Sequence, residues 1–373
     1  MANLYFLNSH ARLKFHSEME SHMKFTPIFN GAQLVGTNLQ KVVDAAGSNT
    51  TVSIVAAHLA DPTVLETVFT SGKNITADFN GGQLSPNVLL RLVDAASANT
   101  SISINTAQAV LASARNQALG SGKKVTFSFD AAELSPSVLQ EAVAAASPNA
   151  TISIDAAQSY NISSLTAALS SGKKVSASFD GKFLTSNNLQ QAVSFAGANA
   201  SVSVSNAQSV NSSVISTILT QGKSVSAGFD GEATTGSTLQ QAVNSADSAA
   251  SIRVHTAQST LIETLNSALA SGKKVSVTFN GAQLNADHIQ QAVSFATAKA
   301  SVGLNTAQSA PIEVVKSIMS SGKNVLAEFN GAQLVADNIQ QAASASTANA
   351  SISVNTAQSV PMPTMLALVD SAG

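Results

Sequence analysis

Gly72, Gly122, Gly172, Gly222, Gly272 and Gly322 stand 50 residues apart without one insertion, and Phe29, Phe79, Phe129, Phe179, Phe229, Phe279 and Phe329 keep the same interval. A fixed period of this length marks stacked repeats, because one short unit cannot bury its apolar face alone. Seven units run from about residue 23 to residue 373. Residues 1–22 lie outside the pattern and read as an N-terminal cap or a tag-derived segment, since Asn3-Leu-Tyr-Phe6 is similar to a protease-tag remnant. Each unit divides again: the run Val277 to Gln283 is answered 25 residues later by Val302 to Gln308, with Ala-Gln closing both. The underlying period is therefore 25, with two variants alternating.

The first half of a unit reads as strand, turn and helix. Val175, Ala177 and Phe179 alternate with Ser176 and Ser178, the period of a strand buried on one face. Asn80-Gly81, Asp180-Gly181, Asp230-Gly231 and Asn280-Gly281 end the strand in a turn. Ser85-Pro86 and Ser135-Pro136 then offer a capping hydroxyl and a proline suited to the first helical turn, with Thr185, Thr235 and Asn285 in the same slot elsewhere. Leu139, Ala142, Val143 and Ala146 form one amphipathic stripe. In the second half, Ile152 and Ile154 mark a shorter strand, Ile215, Ile218 and Leu219 a short helix, and the glycine closes it in the left-handed region.

Strands joined through helices run parallel with right-handed crossovers. The expected architecture is an α/β repeat solenoid, a horseshoe or arc of seven 50-residue β-α-β-α units, with about fourteen parallel strands on one face, helices on the other and the Phe column inside. Pro27 falls in the first strand, as expected of an edge, and the chain stops as the seventh unit finishes. That leaves a C-terminal strand edge, through which the protein is expected to self-associate unless the natural chain continues differently.

The run Val277-x-Phe279-x-x-Ala282-x-Leu284, with Ile289 and Ala292-Val293 on the next helix, resembles a degenerate leucine-rich repeat. That family's strand motif is L-x-L-x-x-N/C-x-L, and its repeats span 20–29 residues. Here Val, Ile and Phe replace Leu, and Ala holds the Asn/Cys slot. A shifted register would put Asn280 and Asn305 there but would leave Phe279 less buried, so the first register is preferred. Uninterrupted helix-containing repeats of this style are similar to those of secreted bacterial effectors. The resemblance implies a noncatalytic scaffold that binds proteins, with virulence on host proteins as its setting.

Composition narrows the function classes. Only 11% of residues are charged and the net charge is -2, which argues against electrostatic capture of nucleic acid or anionic membrane. The absence of Cys excludes disulfides and thiolate metal sites. No apolar run is long enough to span a membrane, and no signal-peptide core opens the chain, so a cytoplasmic protein or one exported by a specialised system is expected. His10, His16 and His22 recur every six residues, unlike metal-ligand spacing, and no phosphate-cradling loop accompanies the Gly-Lys pairs. The carboxylates Asp130, Asp180 and Asp230 stand a whole unit apart, unlike a glycosidase pair. No enzyme, metal or cofactor is expected. The sequons at Asn49, Asn99, Asn149, Asn199 and Asn349 arise from the repeat itself.

Two ladders remain. Strand positions facing away from the helices carry Ser or Thr almost throughout, from Thr76 to Ser353, a solvated polar face or a repetitive surface for glycan, ice or an extended peptide. Arg253, His255, Asp78 and Glu328 interrupt it, and Arg253 and His255 are the expected polar anchors for a protein partner. Lys73, Lys123, Lys173, Lys223, Lys273 and Lys323 form the second ladder, either a basic rail for an acidic partner or a solubilising row that answers helix C-termini.

Overall fold

Alternation of apolar and mostly hydroxyl residues gives the strands one face for helices and one for solvent in the computed structural model, which describes residues 23–373. The strands are β1 (Lys24–Asn30), β2 (Thr51–Val55), β3 (Asn74–Asn80), β4 (Thr100–Asn105) and β5 (Lys124–Asp130). They continue with β6 (Thr151–Asp155), β7 (Lys174–Asp180), β8 (Ser201–Ser205), β9 (Ser224–Asp230) and β10 (Ser251–His255). The last are β11 (Lys274–Asn280), β12 (Ser301–Asn305), β13 (Val325–Asn330) and β14 (Ala350–Asn355). A helix of eight to ten residues follows each, so the structural repeat is a 25-residue βα element in fourteen copies, in place of the count of seven.

The sheet is not a horseshoe or an arc. All fourteen strands pair in parallel and in sequence order, and β1 pairs with β14 to close a barrel. Lys24 lies opposite Ser351 and Pro27 opposite Val354, so Pro27 sits at a closed seam and not at an edge. The C-terminal edge expected to self-associate does not exist, because β14 is paired on both sides. Register supplies the physical reason. Ser153 pairs with Ser176, a step of 23 residues, and Ser176 with Ser201, a step of 25. Each 50-residue unit thus slips two residues, and round seven units the accumulated shear equals the strand number, as in eight-stranded parallel barrels tilted ~36°. Side chains lock the seam as well. The Asn30 N–H donates to Gln358 Oε1 (3.1 Å), and Asn49 Nδ2 donates to the Ala372 carbonyl (3.0 Å).

Phe29, Phe79, Phe129, Phe179, Phe229, Phe279 and Phe329 are buried between sheet and helices with the Ile, Val and Leu of the neighbouring strands. The Ser85 and Ser135 hydroxyls cap their helices by accepting from Val88 and Val138 N–H, and the six glycines of the ruler have φ between 67° and 78°. The row of glutamines ties repeats together: Gln158, Gln208 and Gln258 each accept, through Oε1, the backbone N–H of Asp180, Asp230 and Asn280.

One local feature was not anticipated. After every even strand a non-glycine residue is left-handed: Ala56, Thr106, Ala156, Asn206, Thr256, Thr306 and Thr356, all at φ near 50°. Asn tolerates that region better than Ala, and Asn206 Nδ2 also donates to Asp180 Oδ1 at 2.9 Å. In the unit carrying Ala156, Asp130 occupies the equivalent acceptor slot. Ala156→Asn is therefore expected to stabilise the protein by about 0.5–1 kcal/mol, read as a melting temperature raised by about 2 °C; an unchanged or lower value contradicts the strain argument.

Candidate functional site: the hydroxyl-lined lumen

Barrel closure turns the polar face of the sheet inward. The strands' apolar side chains are buried against the helices, while Thr76, Ser101, Ser128, Ser153, Ser178 and Ser203 stay partly exposed on the lumen side. Eight-stranded barrels are filled by their own side chains, but the diameter grows with strand number. Fourteen strands ~4.8 Å apart and tilted ~36–45° put the backbones about 27 Å apart across the barrel. Small hydroxyl side chains then leave a passage about 18 Å wide, against ~10–12 Å for an α-helix with its side chains. The face is thus a curved, enclosed wall and not a flat one.

Arg253 and His255 project from β10 and are exposed. Their neighbours in register are Gly228 and Asp230 on β9, and Arg253 also faces Ser276 on β11. Gly228 presents no side chain beside them, and a Cβ there would make only ordinary contact, 3.9 Å from His255 Nε2. The Asp230 carboxyl is held below the usual carboxylate range, first by the Thr256 hydroxyl, which donates to Oδ1 at 2.5 Å, then by the Glu232 N–H and the charges of Lys182 and His255. His255 therefore sits beside an ionised carboxylate near the mouth at the C-terminal ends of the strands, with Arg253 two residues earlier on the same face of β10.

Asp78 on β3 and Glu328 on β13 occupy the slot just before the Phe of their strands. β3 is seven strands from β10 whichever way the ring is followed, so Asp78 faces Arg253 across the lumen. Burial pushes both carboxyls up, and for Asp78 the Ser103 hydroxyl opposes the shift in part. A raised folded-state value means the native protein holds these protons longer than the unfolded chain as pH rises above about 4. Stability from these groups is full below that pH and is lost as pH rises through the raised values. Asp78→Asn with Glu328→Gln is expected to melt higher than wild type at neutral pH, with the gap closing below about pH 4; a gap independent of pH contradicts this.

The lysine row lies elsewhere, on the outside at the N-terminal ends of the odd strands. Lys73, Lys123, Lys173, Lys223, Lys273 and Lys323 each reach back 27 residues and donate through Nζ to a carbonyl just past a helix end, from Ala46 to Ala296, at 2.5–2.7 Å. The structure does not bring them together with Arg253 and His255. Asn99, Asn149, Asn199 and Asn349 similarly donate to the carbonyls of Gly72, Gly122, Gly172 and Gly322. A pocket of about 400 Å³ at the N-terminal mouth is lined by Lys24, Thr26, Thr51, Leu326 and Ser351 at the seam. Among the described residues no group of three His, Asp or Glu is placed to hold a metal ion, and no helix is long and apolar enough to cross a membrane. His10, His16 and His22 lie outside the described residues.

No protein-family model matches the chain, and no curated protein matches it. Among solved structures it is similar to the yeast Rad7–Elc1 complex, at 12% identity and a TM-score of 0.47, covering 90% of this chain and 88% of that one. It is also similar to an aldolase designated QR15, at 15% identity and a TM-score of 0.24, covering 50% of this chain and 92% of that one. A truncated 3-deoxy-D-arabino-heptulosonate 7-phosphate synthase from Thermotoga maritima aligns at 9% identity and a TM-score of 0.26, covering 49% and 74%. Likenesses at this level assign no function.

Proposed function

We propose that the protein is a noncatalytic binding scaffold that receives a polypeptide partner in its lumen, with Arg253 and His255 as the polar anchors. One observation carries this reading. The ladders of Lys, Asn and Gln are engaged in holding the frame, whereas four charged or imidazole departures from the repeat, Arg253, His255, Asp78 and Glu328, fall on the lumen wall. A passage about 18 Å wide takes one α-helix of ~10–12 Å. The occupant that complements these walls presents an acidic group toward Arg253 and a basic one toward Asp78 and Glu328. The style of repeat shared with secreted bacterial effectors makes host proteins the first partners to screen.

An enclosed hydroxyl wall gives no flat plane for ice, and a glycan chain is the competing occupant. The chain lacks Cys, so single thiols can be placed at will. A bulky maleimide on Ser203→Cys, inside the lumen, is expected to abolish binding of an isolated partner, whereas the same label on Ser294→Cys, on the helical exterior, leaves it unchanged. Arg253→Ala/His255→Ala is expected to weaken that binding at least tenfold at high salt. A partner that binds the lumen-blocked protein normally overturns the proposal, as does a glycan-array signal lost on lumen labelling with no protein partner found.

A further inference from the structure

The net charge of -2 conceals a separation of charge along the barrel axis. At the N-terminal mouth Lys24, Lys124, Lys174 and Lys274 open β1, β5, β7 and β11, exposed and on the same side of their strands as the lumenal hydroxyls. At the C-terminal mouth Asp130, Asp155, Asp180 and Asp230 close β5, β6, β7 and β9, with Glu133 and Glu232 exposed beside them. Across all fourteen connections from strand to helix at that end, the one lysine or arginine is Lys182.

Part of this segregation answers helix dipoles. Helices run against the strands, so their N-termini gather at the acidic mouth, where Glu263, Asp287, Glu313 and Asp337 lie in first turns. The lysine row answers the C-termini at the other end. The two inner rings sit on strand ends instead: Asp130, Asp180 and Asp230 also accept the backbone N–H two residues on (3.0–3.1 Å), as Asn280 does, but Asp155, Glu133 and the lysines of the basic ring cap nothing. The ion pairs among the described residues, Arg91–Glu66, Arg115–Glu141 and Lys316–Glu313, involve neither ring. Apolar side chains stand out on both faces as well. Val35, Leu111, Phe183 (74% exposed), Leu261 and Val335 lie in connections at the acidic mouth, and Phe195 and Phe295 at helix ends near the basic one.

We propose that copies of this chain stack coaxially, head to tail, the acidic mouth of one barrel seated on the basic mouth of the next. The occupant is a second copy because the chain itself carries both complementary rings on one axis. The clusters also lie on the same run of strands. Lys124 and Lys174 stand at the foot of β5 and β7, and Asp130, Asp155 and Asp180 at the head of β5, β6 and β7. Strand tilt carries the heads round the barrel from the feet, so each copy is rotated about the axis relative to the last, and a head-to-tail contact of this kind does not close on itself. The stack is open-ended, its lumens are continuous, and screening weakens it as the Debye length falls. This proposal stands independently of what the lumen binds.

The test is sedimentation velocity of the full chain across concentration and salt, with two charge-reversed variants. Lys124→Glu/Lys174→Glu reverses the charge at the feet of β5 and β7, and Glu133→Lys/Asp155→Lys reverses it at the heads of β5 and β6. All four side chains are exposed and cap no helix, and unchanged melting temperatures confirm intact barrels. Wild type is expected to form species heavier than the monomer that grow with concentration at low salt and dissociate at high salt. Each variant alone is expected to stay monomeric, and an equimolar mixture to restore pairs. A wild type that is monomeric at low salt, association that persists in either variant alone, or a mixture that stays monomeric overturns the proposal.

Discussion

Phe29→Ala and Phe179→Ala are each expected to destabilise the protein by about 3–5 kcal/mol, the usual cost of emptying a buried aromatic site, and by the same amount within about 1 kcal/mol. Phe29 is 1% exposed in the first strand and Phe179 2% exposed in the seventh. In an open solenoid the first repeat has one neighbour and frays, so a cavity there costs less and adds an early transition. In a closed ring β1 is flanked by β2 and β14 just as β7 is flanked by β6 and β8. Chemical denaturation of the two variants should give one transition each and matching losses. A much smaller loss for Phe29→Ala, or a separate early phase, contradicts closure.

The opposite sign is expected at Arg115. Its helix slot holds Leu65, Leu165, Ile215, Leu265, Val315 and Met365 in the other units, all buried, and Arg115 itself is 1% exposed. The guanidinium has five donors to satisfy. It finds Asn116 Oδ1 at 3.3 Å from Nε and Glu141 Oε2 at 3.4 Å, with the Phe129 ring centroid 5.9 Å away. Burial pulls its pKa below the usual arginine value, and the Glu141 carboxylate offsets the shift in part. Glu141 is half exposed, so the ion pair is screened on one side and returns little of the desolvation cost. Arg115→Leu restores the slot's residue type and is expected to raise stability by about 1–4 kcal/mol. Glu141→Gln is expected to destabilise the wild type and to have no effect once Arg115 is Leu. A destabilised Arg115→Leu protein would show that the guanidinium is better satisfied than its contacts indicate.

The local structure was legible because its determinants are local. Val175, Ala177 and Phe179 alternate with serines, and that alternation alone fixes which face meets the helices. Ser85-Pro86 and Gly72 mark where helices begin and end, and the caps and positive φ values are where the spacing puts them. Closure was not legible, because it depends on register. The slip of two residues per unit is invisible in a pattern that repeats every 50, and the bonds joining the two ends, Gln358 to Asn30 and Asn49 to Ala372, look like any other members of their rows. The left-handed residue after each even strand was masked by Ala and Thr in most copies, although Asn206 was a usable signal.

The candidate site was legible in part. Arg253 and His255 stood out as breaks in a hydroxyl row, but what they face could not be read. Asp78 lies opposite Arg253 only because the sheet closes with seven strands between them. The lysine row was legible to the point of two readings. Its regularity fits a basic rail as well as a row that answers helix C-termini, and the structure engages each ammonium with a helix-end carbonyl 27 residues back. The neglected lysines one position later, such as Lys124 and Lys174, face the lumen because the parity of the strand changes between neighbours.

Closure of the ring underlies the lumen, the placement of the anchors and the two charged mouths, and it is tested most directly by the distance between the first and last helices. The helix Gly36–Ala45 follows β1, and the helix Met362–Ser371 ends the chain. With spin labels on Lys41→Cys and Asp370→Cys, both exposed, pulsed dipolar spectroscopy of dilute protein at high salt should give one narrow distance. Helices packed side by side lie ~8–10 Å apart, and label arms bring the expected value to about 20–30 Å. A distance beyond about 40 Å, as between the tips of an arc of fourteen strands spaced ~4.8 Å apart, would contradict the closed barrel.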